Sequence, residues 1–407
     1  MAHSGETRGY LSRKNVYTVG MAKKSNDIRL HELVFFRIFD VGRAIDLNAL
    51  QRTLAVREEG PTVRAPARRD TPASLSLPRP FLVPLRPASC EGYGALKAEA
   101  KVYEDGAITV CLRIRVATGL AGLETLARAP VVRSSRPGEG SASASPADTI
   151  TLSAWADRLF GELIDLIRPA ILDPASNPGK DFETYIAFCM LECPEGPERY
   201  VEKNRTAIAS LMMGAPAGEE IHEQKIAETL AKPFSYAATD MAVFDLDRCF
   251  IVDPRGEYED ILLMIEHANY RLLELRVLDR LLDKRLDEAE RDLSSFSRRG
   301  RAPVGAVRKK FARIQSLRFV ALFVLENLEN SSKIIGDYYL GQIYDRLCSL
   351  FNTDGWSRSV ERRLDILTSV YEMVKTDNAE RRTLVLEIVF IAVCIILPVI
   401  QIWQALL

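Results

Sequence analysis

The chain has 407 residues, 54 Lys and Arg against 55 Asp and Glu, a net charge of −1 and an apolar share of 47%. That length and composition allow about two folded domains with real cores. The near-zero charge excludes a global field for nucleic acid and leaves only local patches for such a role. The seven cysteines, Cys90, Cys111, Cys189, Cys193, Cys249, Cys348 and Cys394, are scattered and odd in number, which argues against a disulfide framework and fits free thiols in a reducing compartment.

Residues 1–28 are polar, basic and aperiodic, and are expected to be disordered; they lack the amphipathic Arg-rich helix of a mitochondrial transit peptide. A β-rich run, 31–41 (HELVFFRIFDV), is followed by Asp46 as a helix N-cap and a short helix through Leu54. A Pro/Arg/Ala-rich stretch, 58–80, reads as a mobile loop. Next comes a hairpin, 95–103 and 107–116 around Glu104-Asp105-Gly106, with a helix starting near Gly119. A Ser/Gly/Pro run, 133–148, reads as a second mobile loop, and a helix over 152–166 follows it. The order then recurs: a strand at 181–191, a helix at 219–230, a hairpin at 241–245 and 249–253, and a helix from Glu257. The pattern predicts an α+β head over 29–255, built from two ferredoxin-like βαββα halves.

From Glu257 the strands stop. Apolar residues at threes and fours give three long amphipathic helices, which read as a coiled helical stalk over 256–382. Leu272, Leu275, Leu282 and Leu286 on the first helix, with Phe311, Leu317 and Val324 on the second, should form its apolar seam. Because three straight parallel helices would carry charged residues to membrane depth, either the middle helix should break, at Asn330-Ser331-Ser332 or at Gly336, or the anchor should diverge from the bundle. The last segment, 383–407, holds about 20 apolar residues, enough for a hydrocarbon core of about 30 Å, so it reads as one C-terminal transmembrane helix and tail anchor. Arg381 and Arg382 just before it place the head in the cytoplasm.

The chemical motifs are sparse. There is no P-loop, no GxGxxG after a strand, no HExxH, no GxSxG and no paired CxxC. The four histidines stand apart, and His267 reads as a helix-surface or interface residue. Cys189 and Cys193, four apart at a strand end, would lie roughly 13 Å from one another, too far for zinc. Asp240, Asp245, Asp247 and Asp253 frame the second hairpin; they could hold a divalent cation, although turns favour Asp on backbone grounds alone. No catalytic residue, metal ligand, cofactor or small-molecule substrate is assigned.

Two clusters stand out. Arg298, Arg299, Arg301, Arg308, Lys309, Lys310 and Arg313 sit at the bend between the first two long helices and are a candidate contact for anionic lipid or an RNA backbone. Glu326, Asn327, Glu329, Asn330, Gly336, Asp337, Tyr338 and Tyr339 form a polar patch, read either as a helix break with an inter-helix network or as a docking surface.

FDLDRCFIVDP, LLELRVLDRLLD, LENSSKIIGDYYLGQIYDRL, WSRSVERRLDILTSVYEMV and RRTLVLEIVFIAVCIIL, with FRIFDVGRAIDLNAL and KVYEDGAITV nearer the start, together resemble the required-for-meiotic-nuclear-division family, a domain of unknown function found in bacteria and mitochondria. The resemblance implies an α+β head, long helices, a C-terminal anchor, oligomers and, in mitochondrial members, a matrix-facing head that supports translation; it implies no catalytic residue. The Pro-rich and Ser-rich insertions depart from it. The expected function is a membrane-anchored, oligomeric, non-catalytic scaffold or adaptor of the inner or cytoplasmic membrane, with the lipid bilayer and other copies of itself as partners. A ribosome- or RNA-tethering factor and a metal-dependent hydrolase are the alternatives.

Overall fold

The computed structural model describes residues 28–55, 63–64, 80–90, 92–128, 132–133, 149–175, 177–216, 219–299, 304–334 and 337–406, without the side chains of some helical positions. The expected disordered start and nearly all of the two expected loops, 58–80 and 133–148, lie outside these residues.

In chain order the strands are β1 (Arg29–Asp40), β2 (Gly42–Ile45), β3 (Val63–Arg64), β4 (Phe81–Pro84), β5 (Ala88–Cys90), β6 (Gly94–Val102), β7 (Ala107–Thr118), β8 (Val132–Arg133), β9 (Thr149–Ile150), β10 (Ile171–Pro174), β11 (Phe182–Met190), β12 (Met241–Phe244) and β13 (Arg248–Val252). The helices are α1 (Leu47–Ala55), α2 (Leu120–Arg128), α3 (Leu152–Ile167), α4 (Pro197–Lys203), α5 (Arg205–Met213), α6 (Glu223–Leu230), α7 (Glu259–Arg299), α8 (Val304–Ile334), α9 (Tyr338–Phe351) and α10 (Thr353–Leu406). Asp46 caps α1 as the sequence suggests, accepting from Asn48 N at 2.9 Å and Ala49 N at 3.0 Å.

One sheet holds most of the strands, in the order β12-β13-β11-β1-β7-β6-β5-β8-β9, while β2 and β10 pair separately. The long strand β1 is flanked by β11 and β7, antiparallel to both. Its large apolar residues are buried on both faces because both faces are covered. Leu33, Phe35 and Phe39 join one core with Trp155 of α3 and Leu211 of α5. Val34 and Phe36 point the other way, into a second core with Leu262 and Ile265 of α7 and Ile343 and Leu347 of α9. This is the period-2 alternation of a strand, read from both sides.

The expected pair of equivalent ferredoxin-like halves is corrected here. β13 runs parallel to β11, so the second set closes through the intervening helices as a crossover. β7 runs antiparallel to β1, so the first set cannot be its copy. The fold is mixed α/β: one large sheet with helices on both faces, a two-stranded pair beside it, then long helices.

α7 is the joint. Tyr258, just before it, and Leu262, Met264, Ile265 and Ala268 belong to the core under the sheet. Further along, Leu275, Leu278, Leu282 and Ala289 enter a third core with Ile314, Ala321 and Leu325 of α8 and Val360, Leu364, Leu367 and Tyr371 of α10. At 1.5 Å per residue this helix is about 60 Å long, and it fixes the helical bundle to the sheet. Of the expected seam, Leu275 and Leu282 are buried there, Leu286, Phe311 and Leu317 pack against it, Leu272 packs on the sheet side, and the Val324 side chain lies outside the described residues. α8 runs through Asn330-Ser331-Ser332 and ends at Ile334, and α9 restarts after Asp337, which accepts from Leu340 N at 3.1 Å.

The expected membrane span at 383–407 is also corrected. The segment continues α10 as helix, but no helix among the described residues is long and apolar enough to cross a membrane. The tail anchor, the single-pass membrane topology and the cytoplasm- or matrix-facing head that depended on it are withdrawn.

Candidate functional site

The acidic group of the second hairpin is split by its own geometry. β12 and β13 pair from Met241 with Val252 to Phe244 with Cys249, so Asp240 and Asp253 lie at the base and Asp245 and Asp247 at the tip. Asp240 and Asp245 lie on either side of the four-residue β12, five residue steps apart, so the two ends are separated by about 16 Å. At the tip, Asp245 accepts from Leu246 N at 2.8 Å, and Asp247 lies 3.9 Å from Arg248. At the base, Asp240 accepts from Tyr236 N at 2.7 Å and Ala237 N at 2.9 Å, while Asp253 accepts from Arg255 N at 2.9 Å and Glu257 N at 2.7 Å. Asp240, Asp245 and Asp253 are turn-forming residues whose oxygens accept from nearby backbone N–H groups. Among the described residues no group of three or more His, Cys, Asp or Glu could hold a metal ion.

The base is where the hairpin meets part of the polar patch. Asp240, Asp253, Asp260, Asp337, Tyr236 and Tyr339 line a cavity of about 210 Å³. The two tyrosine rings lie 5.5 Å apart at 59°, and Tyr236 is 78% exposed. Burial, then the charges of Asp240, Asp253 and Asp337, push the Tyr339 hydroxyl up to about 12. Of the other patch residues, Tyr338 and Glu326 are exposed; Asn327, Glu329 and Asn330 are on α8 with side chains outside the described residues, and Gly336 is outside altogether.

The basic cluster is only partly described: the side chains of Arg298 and Arg299, and the whole of Arg301, lie outside. Arg308, Lys309 and Arg313 are exposed. Lys310 is instead a bundle residue, ion-paired to Asp292, which also accepts from the Tyr371 hydroxyl at 2.8 Å.

The polar network that sequence reasoning missed lies between α7 and the sheet. Glu266, 1% exposed, accepts from Lys101 Nζ at 2.5 Å and from the Tyr103 hydroxyl at 2.7 Å. Burial pushes this carboxyl up, but the Lys101 charge and the two hydrogen bonds outweigh it and hold it below its ordinary value. His267 beside it is buried with its Nε2 unbonded, and burial lowers its pKa to about 4, so it is neutral. Nearer the start of α7, the Tyr258 hydroxyl donates to buried Glu32, and Arg113 grips Glu259 with two bonds, at 2.5 and 2.7 Å. At the far end Tyr270 donates to Glu274 at 2.6 Å. Burial, then the Asp105 charge, push the Glu274 carboxyl up to about 8. These groups answer one another across the helix–sheet boundary, so their chemistry is clamping. The signal available was a lone Glu32 in an apolar strand and Lys101 at a period-2 position facing the same side; a charge there needs a buried partner.

All seven cysteines are free. Cys189 enters the core under the sheet, whereas Cys193, beyond the end of β11, packs against the opposite core.

A two-faced sheet clamped by a polar seam to one long helix, with an acidic, tyrosine-walled cavity at the hairpin base, defines the head domain. The family described as the N-terminal domain of the uncharacterized protein MJ0711 matches residues 31–259, more than half of the chain, and the chain belongs to that family. The match ends where α7 begins. Uncharacterized protein MJ0711 of Methanocaldococcus jannaschii is 26% identical over 253 residues, covering 61% of this chain and 73% of that protein. No solved structure matches.

Proposed function

We propose that the protein is a non-catalytic, self-associating scaffold, and that it belongs with the required-for-meiotic-nuclear-division family on the segments that resemble it. The observation that supports this is α7, a single helix shared by the core under the sheet and the core of the three-helix bundle. Such a helix makes head and bundle one stiff body that can hold partners at a fixed spacing. The polar groups along it are engaged in holding the body together, which suits a part that is assembled on. Lysine-directed cross-linking of the purified chain at micromolar concentration should give a dimer or higher band; a chain that cross-links only within itself contradicts the reading.

A second reading is favoured by one observation: Arg308, Lys309 and Arg313 are exposed and none forms an ion pair among the described residues. They could lie along an RNA backbone. Binding to single-stranded RNA that falls steeply with salt, and again when these three become Ala, would support it; binding insensitive to both would remove it.

A further inference from the structure

The inner face of α8 is accounted for by Ile314, Ala321 and Leu325 in the bundle core. On its outer side Arg308, Ala312, Gln315, Phe319, Leu322 and Glu326 are all exposed, Phe319 at 73% and Leu322 at 47%. Their spacing is 4-3-4-3-4, the seam spacing of a coiled coil. At about 100° per residue the six fall within about 80° of one face. Read in reverse, the stripe sets its basic end against its acidic end and a small residue against a large one. About a midpoint at Leu317, Arg308 is opposed to Glu326, small Ala312 to large Leu322, and Gln315 to Phe319.

We infer that this stripe is the contact surface for a second copy of the chain, with the two α8 helices packed antiparallel about a two-fold axis near Leu317. The inference rests on the self-association proposed above and names its face. In that pairing Arg308 of each copy meets Glu326 of the other, and each Leu322 enters the gap left by the other's Ala312. Charge complementarity selects this occupant: the two ends of one stripe carry opposite charges about 27 Å apart, too far to meet within one helix, and neither pairs with a described residue. An antiparallel partner of identical sequence satisfies both ends at once, as an isologous interface must. The apolar part of the stripe is small, so the contact is dissociable.

The test is sedimentation of the full chain at low salt with two single variants, Arg308→Glu and Glu326→Arg. Each variant places like charges against one another in its own pair and should raise the dissociation constant about tenfold. An equal mixture of the two restores both opposite-charge contacts and should associate within about threefold of the unaltered chain. Because both positions are exposed, circular dichroism should be unchanged, and recovery on mixing shows that the separate variants were folded. Variants that associate like the unaltered chain, or a mixture no stronger than its components, overturn the stripe while leaving self-association standing. An unaltered chain that stays monomeric overturns both.

Discussion

Glu266 and Lys101 show how a charge survives where 1% of a side chain reaches solvent. Each carboxylate oxygen has its own donor, one charged and one phenolic, so the desolvation that opposes ionisation is offset by contacts fixed in place. Replacing Glu266 by Ala strands the ammonium in a low-dielectric layer and should cost about 3–5 kcal/mol. Lys101→Met together with Glu266→Leu should recover most of that loss; urea unfolding of the single and double variants measures it. Glu274 sets a different dependence. Its carboxyl titrates near 8 in the folded chain against an ordinary 4.5, so folding takes up a proton between those values and stability should fall as pH rises through them. Asp40, pushed up to about 6 by burial, adds the same sign. Glu274→Gln should flatten the decline between about pH 5 and 8, and an unchanged slope would show that this carboxyl is not the source.

Elements were legible from sequence where one period dominates. β1, the β6–β7 hairpin, α3, β12–β13 and the long helices each announce themselves by alternation or by threes and fours. α4 and α5 did not, because Pro197, Gly196 and Gly214 break the stretch into pieces too short for a helical period to show; Gly214 ends α5 at φ 60, a left-handed position where glycine is at ease. Strand partners were not legible either, since parallel pairing of β11 with β13 and antiparallel pairing of β1 with β7 leave the same apolar pattern. Leu275 is an element-scale test. It is wholly buried in the bundle core, so Leu275→Ala should cost about 2–5 kcal/mol. Leu275→Asp should lower helix content and melting temperature together, because the charge has no partner there. A smaller particle with full helicity would place this residue between chains instead. Asp337→Ala removes the α9 cap and should cost about 1 kcal/mol by thermal melting.

For the whole molecule, the residues that drew attention in the sequence and those that organise the structure are largely different sets. Three of the four hairpin carboxylates turn out to be turn formers, one of the seven cations is a bundle ion pair, and the terminal apolar segment continues a 54-residue helix. What joins the parts is α7, gripped by Glu32, Lys101, Tyr103 and Arg113 on one side and by the leucine core of α8 and α10 on the other. α7 runs unbroken from one core into the other, which suits a spacer between copies.

Light scattering on the purified full chain, over about a hundredfold range of micromolar concentrations, tests this most directly. The scaffold account predicts a molar mass that climbs from the 45.6 kDa of one chain toward at least twice that value as concentration rises. A mass that stays at one chain throughout the range would contradict it.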